Sequence, residues 1–356
     1  MKLKRPVLLL LLSVAFVSLA VASFLFVNGR SPVVATTPAT AAATSQTRPA
    51  STTAATVPKA PLTGQPLTEA ARRERGAVIV KVEDAPQARP QFGMEKADVV
   101  IEEKVEGGQS RFMAIFHSQD SPQVGPIRSL RSTDIYALRP LGGGILGFSG
   151  GIGPFKAMLP SSNLVDSSAD ARPGAYSRMK GRPAVHDLYS STDRLRQATA
   201  KSVAAPKPLF SFLDGQPFAP SGSSPVTGIS GSMGPGNQFD WSWDPNAKVW
   251  KRGSNGRAHN LVSGQIAATN VIVQFVPYRA TPYKDRANTS VDEAVLDGTG
   301  DSWVLSDGKL VAGRWVRPTL DQPTSFNDAA GQPVQLSPGT TWLVLIPAGN
   351  AVAINR

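Results

Sequence analysis

The stretch from residue 97 to residue 117 constrains this chain most, because it reads as two apolar strands joined by glycines. Residues 97–105 and 111–117 are rich in apolar and β-branched side chains, which favour strands. Gly107 and Gly108 lie between them and favour a hairpin loop. We therefore predict a hairpin, with charged residues around it that are the first candidates for a functional site.

The sequence around this hairpin predicts a mixture of strands and short helices. We expect further strands over 77–82 and 144–148, and helices over 132–138, 152–159 and 192–199. Such a mixture is typical of an α+β or α/β arrangement. We therefore predict an N-terminal domain of this class over 61–215, followed by a linker or loop over 216–237.

The C-terminal third has a different pattern, in which short apolar runs alternate with turn residues. Strands are predicted over 240–243, 249–252, 271–276, 303–305, 310–315 and 341–346. Helical periodicity is absent, and glycine-containing turns separate the runs. The pattern predicts a smaller antiparallel β domain over 238–356.

The first 60 residues predict an anchor followed by a stalk. Residues 6–27 carry no charge and, at about 1.5 Å per helical residue, would span about 33 Å. Basic residues precede this run, so we expect a membrane anchor within 1–30 with a cytoplasmic N-terminus and an extracytoplasmic body. The alternative is a signal peptide cleaved near residues 20–22, which would give a secreted protein. Residues 31–60 have the composition of a disordered stalk rich in Thr, Ala and Pro.

Charge and composition exclude several functions. The net charge is +11, but residues 1–60 hold six basic and no acidic side chains, so about half of it belongs to this segment. This uneven distribution favours a membrane-anchored N-terminal segment over nucleic-acid binding, so we expect no nucleic-acid partner. The absence of cysteine excludes thiolate sites and a lipid-modified cysteine, and three histidines disfavour a histidine-rich metal site. We expect neither a metal nor a cofactor.

Two sets of residues resemble the YerB-like family of bacterial envelope lipoproteins, which has a two-part domain of unknown function. The first set is Gly64, Arg89-Pro90-Gln91, Ala97-Asp98, Glu102, Glu106-Gly107-Gly108, Arg111-Phe112 and Gly125-Pro126-Ile127-Arg128-Ser129 with Arg131. The second is His259, Asn270-Val271-Ile272-Val273-Gln274, Gly298, Gly300, Asp307-Gly308, Gly313, Trp315 and Gly339-Thr340-Thr341-Trp342. The resemblance covers about residues 61–356 and implies an envelope location without an assigned activity. Members often carry a lipobox cysteine, so anchoring here would depend on residues 6–27.

Arginines close to the predicted helix suggest an anion site. Arg128 and Arg131 lie just before Ser132, where the helix is expected to begin, and Arg111 could approach from the hairpin. Helix amides attract anions, and guanidinium groups bind phosphate or carboxylate in bidentate fashion. The alternative is that the arginines brace the fold by pairing with the nearby carboxylates, namely Glu102, Glu103 and Glu106.

Two weaker patterns would suit a hydrolase. Glu102 and Glu106 could serve as paired carboxylates, although four residues along a strand separate them by about 13 Å, more than the roughly 5–9.5 Å that glycosidases use. Ser149 lies in a G-x-S-x-G pattern over 147–151, and His186 follows it in the chain.

The leading hypothesis is a membrane-anchored extracytoplasmic envelope protein of unknown molecular activity. It would bind an anionic envelope ligand or a partner protein through Arg111, Arg128, Arg131 and Ser132. The alternative is a hydrolase of an envelope polymer that uses Glu102, Glu106, Ser149 or His186.

Overall fold

The computed structural model describes residues 57–199, 202–285 and 287–356. The described residues form one compact unit. The anchor predicted over 6–27 and nearly all of the stalk predicted over 31–60 lie outside the described residues. Within the described residues, no helix is long and apolar enough to cross a membrane.

The described chain contains four short α-helices and many strands. The helices are α1 (Ala70–Glu74), α2 (Ser132–Leu138), α3 (Gly153–Lys156) and α4 (Thr192–Gln197). The strands of the first half are β1 (Val78–Glu83), β2 (Val99–Lys104), β3 (Ser110–Phe116), β4 (Gly144–Gly147), β5 (Leu164–Asp166), β6 (Ser177–Arg178) and β7 (Leu188–Tyr189). The next strands are β8 (Ser224–Pro225), β9 (Gly228–Gly234), β10 (Asn237–Asp244), β11 (Val249–Ser254), β12 (Arg257–Ala258), β13 (Asn260–Leu261), β14 (Gly264–Gln265) and β15 (Ala267–Ala268). The last are β16 (Asn270–Val276), β17 (Tyr278–Lys284), β18 (Ser290–Ala294), β19 (Gly298–Ser306), β20 (Lys309–Arg317), β21 (Ser325–Asn327), β22 (Thr341–Pro347) and β23 (Val352–Asn355).

One eleven-stranded sheet organises the compact unit. Its order is β21-β20-β19-β16-β22-β2-β3-β1-β4-β5, with β8 beside β20. The predicted hairpin is present, because β2 pairs with β3 in antiparallel register from Val99↔Ile115 to Lys104↔Ser110. The two halves of the sequence meet where β2 pairs with β22 in parallel. Each half contributes its own elements, but the two halves share this central sheet.

Both faces of the central sheet are buried, as the side-chain alternation of its strands requires. Along β1, Ile79 packs into one apolar cluster while Val78 and Val80 pack into the other. A second sheet, ordered β12-β11-β10-β9-β23 with β15 beside β11, contributes to the latter cluster. There the ring of Trp241 meets that of Trp342 edge to face, with centroids 5.4 Å apart.

The C-terminal half consists mostly of antiparallel strands, as predicted, and the N-terminal half is a mixed sheet with few helices. Two local differences from the sequence predictions stand out. The helix expected over 152–159 is only one turn, α3. The segment predicted as a linker or loop contains β9, whose Gly and Ser residues lack the usual strand signal. Gly228 is required there, because a Cβ would lie 2.2 Å from the carbonyl oxygen of Trp241.

A buried ion pair joins the second sheet to the central one. Nη2 of Arg252 lies 2.7 Å from Oε1 of Glu102, and both side chains are fully buried. The indole of Trp342 donates to the other Glu102 oxygen at 2.9 Å. Nη1 of Arg252 also lies 2.5 Å from Nδ1 of His259, whose pKa is held well below its ordinary value by burial and by the adjacent guanidinium. The histidine is therefore neutral and accepts this hydrogen bond.

We expect Arg252→Met to lower the free energy of unfolding by about 3–5 kcal/mol, because it leaves the Glu102 carboxylate buried without its cation. Urea unfolding of the purified protein would measure this. Arg257→Met, at an exposed position on β12, is the matched control and should change stability by at most about 0.5 kcal/mol. Adding Glu102→Leu to the Arg252→Met variant should recover part of the loss. A loss below about 1 kcal/mol for Arg252→Met alone would contradict the proposed role.

Candidate functional site

Arg131 forms a closed ion pair with Glu106. Nε and Nη2 of the arginine donate to the two carboxylate oxygens at 2.6 and 2.5 Å. Only 7% of the Arg131 side chain and 8% of the Glu106 side chain are exposed. The backbone N–H of Arg131 donates to Oδ2 of Asp134 at 2.7 Å, which fixes the start of α2. For this pair, the geometry matches the bracing role that was considered as the alternative.

Arg128 lies in a more open position and shares a carboxylate with His186. Its Nε is 2.9 Å from Oε1 of Glu83, and its Nη1 donates to the carbonyl oxygen of Val185 at 3.1 Å. The other oxygen of Glu83 is 2.7 Å from Nδ1 of His186. The Arg128 side chain is 24% exposed and that of His186 is 15% exposed. The two carboxylate oxygens of Glu83 therefore hold the side chains of Arg128 and His186, both of which are partly exposed.

Arg111 has no carboxylate within 4 Å among the described residues, in contrast to Arg128 and Arg131. Its Nη1 donates only to the carbonyl oxygen of Ser129, at 3.4 Å, and Arg131 donates to the same oxygen. Burial and, second to it, the adjacent positive charge of Arg131 lower the pKa of Arg111 to about 10. The guanidinium stays protonated at neutral pH, so it carries a charge that the surrounding side chains do not neutralise directly.

A buried charged trio lies on the same face of the sheet. Lys81 on β1 contacts Glu103 on β2, and its Nζ lies 2.5 Å from Oδ1 of Asp134 on α2. All three side chains are at most 1% exposed. One cation thus serves two carboxylates. Burial and the neighbouring Asp134 charge raise the pKa of Glu103 to about 7.

The other residues singled out from the sequence do not meet in one cleft. Glu102 points to the opposite face of the sheet from Glu103, where Arg252 and Trp342 surround it. Ser132 is 1% exposed, and its hydroxyl makes no hydrogen bond within the described residues, so it does not line an open site.

Ser149 and His186 are not hydrogen-bonded to each other in the described structure. The backbone N–H of Ser149 donates to the carbonyl oxygen of Arg128 at 3.0 Å. Nδ1 of the histidine contacts Glu83 instead. The described residues also contain no group of three or more His, Cys, Asp or Glu side chains that could hold a metal ion.

Glu83 was missed from the sequence, although a usable signal was present. Strand alternation places Lys81, Glu83 and the opposing residues of β3 on one face. In the strand register, the backbone of Arg111 lies opposite Glu83 of β1 on one side and opposite Glu103 of β2 on the other. Once the order β2-β3-β1 is known, the charged ends of these strands must meet.

Comparison with known proteins identifies the family. Residues 62–205 match the N-terminal domain, and residues 230–343 the C-terminal domain, of the family described as "Protein of unknown function (DUF3048)". The chain belongs to this family. The resemblance to YerB-like proteins predicted from the sequence is thereby confirmed. Arg111, Arg128 and Arg131 all lie within the N-terminal domain of this family.

Relatives within this family share both sequence and fold with the chain. It is 28% identical over 307 residues to the Bacillus subtilis (strain 168) protein named "Putative lipoprotein YerB", covering 84% of this chain and 89% of that one. The crystal structure of the YerB protein from Bacillus subtilis superposes with a TM-score of 0.71 at 25% identity, covering 84% of this chain and 99% of the other.

The Glu103 carboxyl should make stability depend on pH. Its folded pKa of about 7 exceeds its ordinary value of 4.5, so its contribution is fully present below about 4.5 and is lost as pH rises through 7. We therefore expect Glu103→Gln to gain stability relative to wild type as pH rises over this window, as measured by urea unfolding at several pH values.

The free energy of unfolding of Glu103→Gln should be compared with that of wild type at each pH, because His117 makes the stability of both proteins change with pH in the opposite direction. Burial lowers the pKa of His117 to about 4, so wild type loses stability as pH falls from 6.5 towards 4. Glu95→Gln, at an exposed position, is the control and should track wild type. A pH-independent difference between Glu103→Gln and wild type would show that Glu103 is ionised throughout.

Proposed function

We propose that this protein is an extracytoplasmic cell-envelope protein that binds an acidic group, a carboxylate or a phosphate, at Arg111 and Arg128. The observation that carries the proposal is the guanidinium of Arg111, which has no carboxylate partner in the described structure although Arg131 and Arg128 lie nearby. Arg131 holds the site in place through its pair with Glu106.

The distribution of charge supports an anion rather than a cation as the ligand. Glu106 pairs with Arg131, and Glu83 lies against Arg128, so neither of these carboxylates forms an ion pair with Arg111. Like charges repel more strongly where side chains are removed from water. A bound anion would relieve this repulsion and accept charge-assisted hydrogen bonds from two guanidinium groups.

The envelope location is supported by the relatives and by the uncharged run over 6–27. A relative of similar length is named as a lipoprotein. This chain has no cysteine to carry a lipid. We propose that residues 6–27 serve as the membrane anchor in its place, with residues 57–356 on the extracytoplasmic side.

We expect Arg111→Gln to weaken binding of a purified anionic wall polymer at least tenfold, because each lost charge-assisted hydrogen bond contributes about 1.5–3 kcal/mol. Isothermal titration calorimetry on the full chain in detergent would measure this. Arg128→Gln should weaken binding in the same way. Inorganic phosphate and acetate, titrated separately, would identify the acidic group that is recognised.

Arg314→Gln is the matched control, because Arg314 is exposed and pairs only at the surface with Asp301. Its affinity should equal that of wild type. Chromatography of each mixture would detect cleavage products and so distinguish a binding protein from a hydrolase. Equal affinity for wild type and Arg111→Gln would exclude the proposed site.

A further inference from the structure

Arg317, near the end of β20, is a buried cation without a carboxylate partner. The residue is 3% exposed, and no carboxylate lies within 4 Å of it among the described residues. Its Nη2 donates to the carbonyl oxygens of Tyr136 and Leu320 at 2.7 and 2.5 Å, whereas Nε is buried and donates to none. Asp321, which lies four residues away in the chain, pairs with Arg139 instead. A buried charge in this condition is costly unless something else compensates it.

Burial also lowers the pKa of Arg317 to about 10. This value is still well above neutral pH, so the guanidinium is charged in the folded protein. The unused donor capacity of the side chain therefore belongs to a cation and is complementary to an anion.

A small cavity is lined in part by Arg317. It has a volume of about 30 Å³, and Gln274 and Arg317 both line it. The rest of its wall is largely apolar and includes Ile101, Ala137, Leu296, Leu343 and Leu345. Gln274 is 1% exposed, and its side-chain nitrogen makes no hydrogen bond within the described structure. Native interiors rarely leave buried donors unpaired, and these two belong to residues that line one cavity, so an acceptor bound there would satisfy both.

An open groove adjoins this cavity. The groove has a volume of about 320 Å³. The two spaces have wall residues in common, namely Leu209, Phe210, Thr324 and Phe326. Pro323 and Pro333 contribute to the remainder of the groove, which is mainly apolar. Its size is at the lower end of the range for small-molecule sites.

The sizes of the two spaces suggest how a ligand divides between them. About 30 Å³ holds one or two water molecules, which is close to the bulk of a carboxylate group. The groove is about ten times larger and would cover an apolar body. The inner space is thus charged and small, and the outer space is apolar and larger.

We infer that this pocket binds a small amphipathic carboxylate, with its carboxylate against Arg317 and Gln274 and its apolar body in the groove lined by Leu209 and Phe210. The carboxylate accepts from the unused guanidinium donors, and the Gln274 amide presents its N–H₂ to the same group. The pocket at Arg317 has no residue in common with the anion site proposed at Arg111 and Arg128. Its test is therefore independent of the proposed function.

Decanoate serves as the probe, and decanol, which has the same chain length without the charge, is its neutral control. Titration calorimetry on the full chain should show decanoate binding at least tenfold more tightly than decanol. Arg317→Gln should weaken decanoate binding at least tenfold while leaving decanol unchanged. Arg314→Gln, on the same strand but exposed, should behave as wild type.

Leu209→Trp provides a second variant that leaves the charge in place and fills the common wall of the two spaces. It should weaken binding of decanoate and decanol together. Thermal unfolding of each variant verifies that it folds. If Arg317→Gln does not fold, the inference is tested by the preference of wild type for decanoate over decanol and by the result for Leu209→Trp. Absence of decanoate binding to wild type, equal affinity for both probes, or unchanged binding in a folded Arg317→Gln would each overturn the inference.

Discussion

The parallel pairing of β2 with β22 is the contact on which the rest of the structure depends. It joins Glu102 to Trp342 across 240 residues of sequence. Closing so long a loop costs conformational entropy, although the cost grows only slowly with length. Burial of both faces of the central sheet offsets it. Without this pairing, the central sheet would divide into two sheets with exposed edges, one of β1 to β5 and one of β8, β16 and β19 to β22.

This central position explains why the strands carry charges at buried positions. Neighbouring residues of β2 point to opposite faces, so Glu102 meets Arg252 on one side and Glu103 meets Lys81 on the other. A shift of register by one residue would place either Ile101 against Arg252 or Lys104 against Lys81, so one of the two cations would lose its carboxylate. Such a shift would cost several kcal/mol at that buried charge. The two ionic groups therefore fix the register of β2, in addition to any stability they contribute.

Local patterns predicted the hairpin and most strands, because strand signals lie within short windows of sequence. The hairpin over 97–117 and the helix beginning at Ser132 were both found in this way. The sharing of one sheet by both halves could not be predicted, since it depends on pairing between distant strands. The partners of the arginines were undetermined for the same reason. Glu106 was correctly considered for Arg131, whereas Glu83 and Arg252 gained their roles only from the strand order.

Four arginines of this protein fall into two groups according to their partners, and this difference is the reason why two of them are candidates for ligand binding. Arg131 and Arg252 each have a buried carboxylate within hydrogen-bonding distance. Removing either arginine side chain would leave that carboxylate without its cation and would lower stability. Arg111 and Arg317 contact carbonyl oxygens but no carboxylate in the described structure. Because an unpaired cation removed from water reduces stability, a ligand that supplies negative charge at Arg111 or Arg317 would stabilise the folded protein.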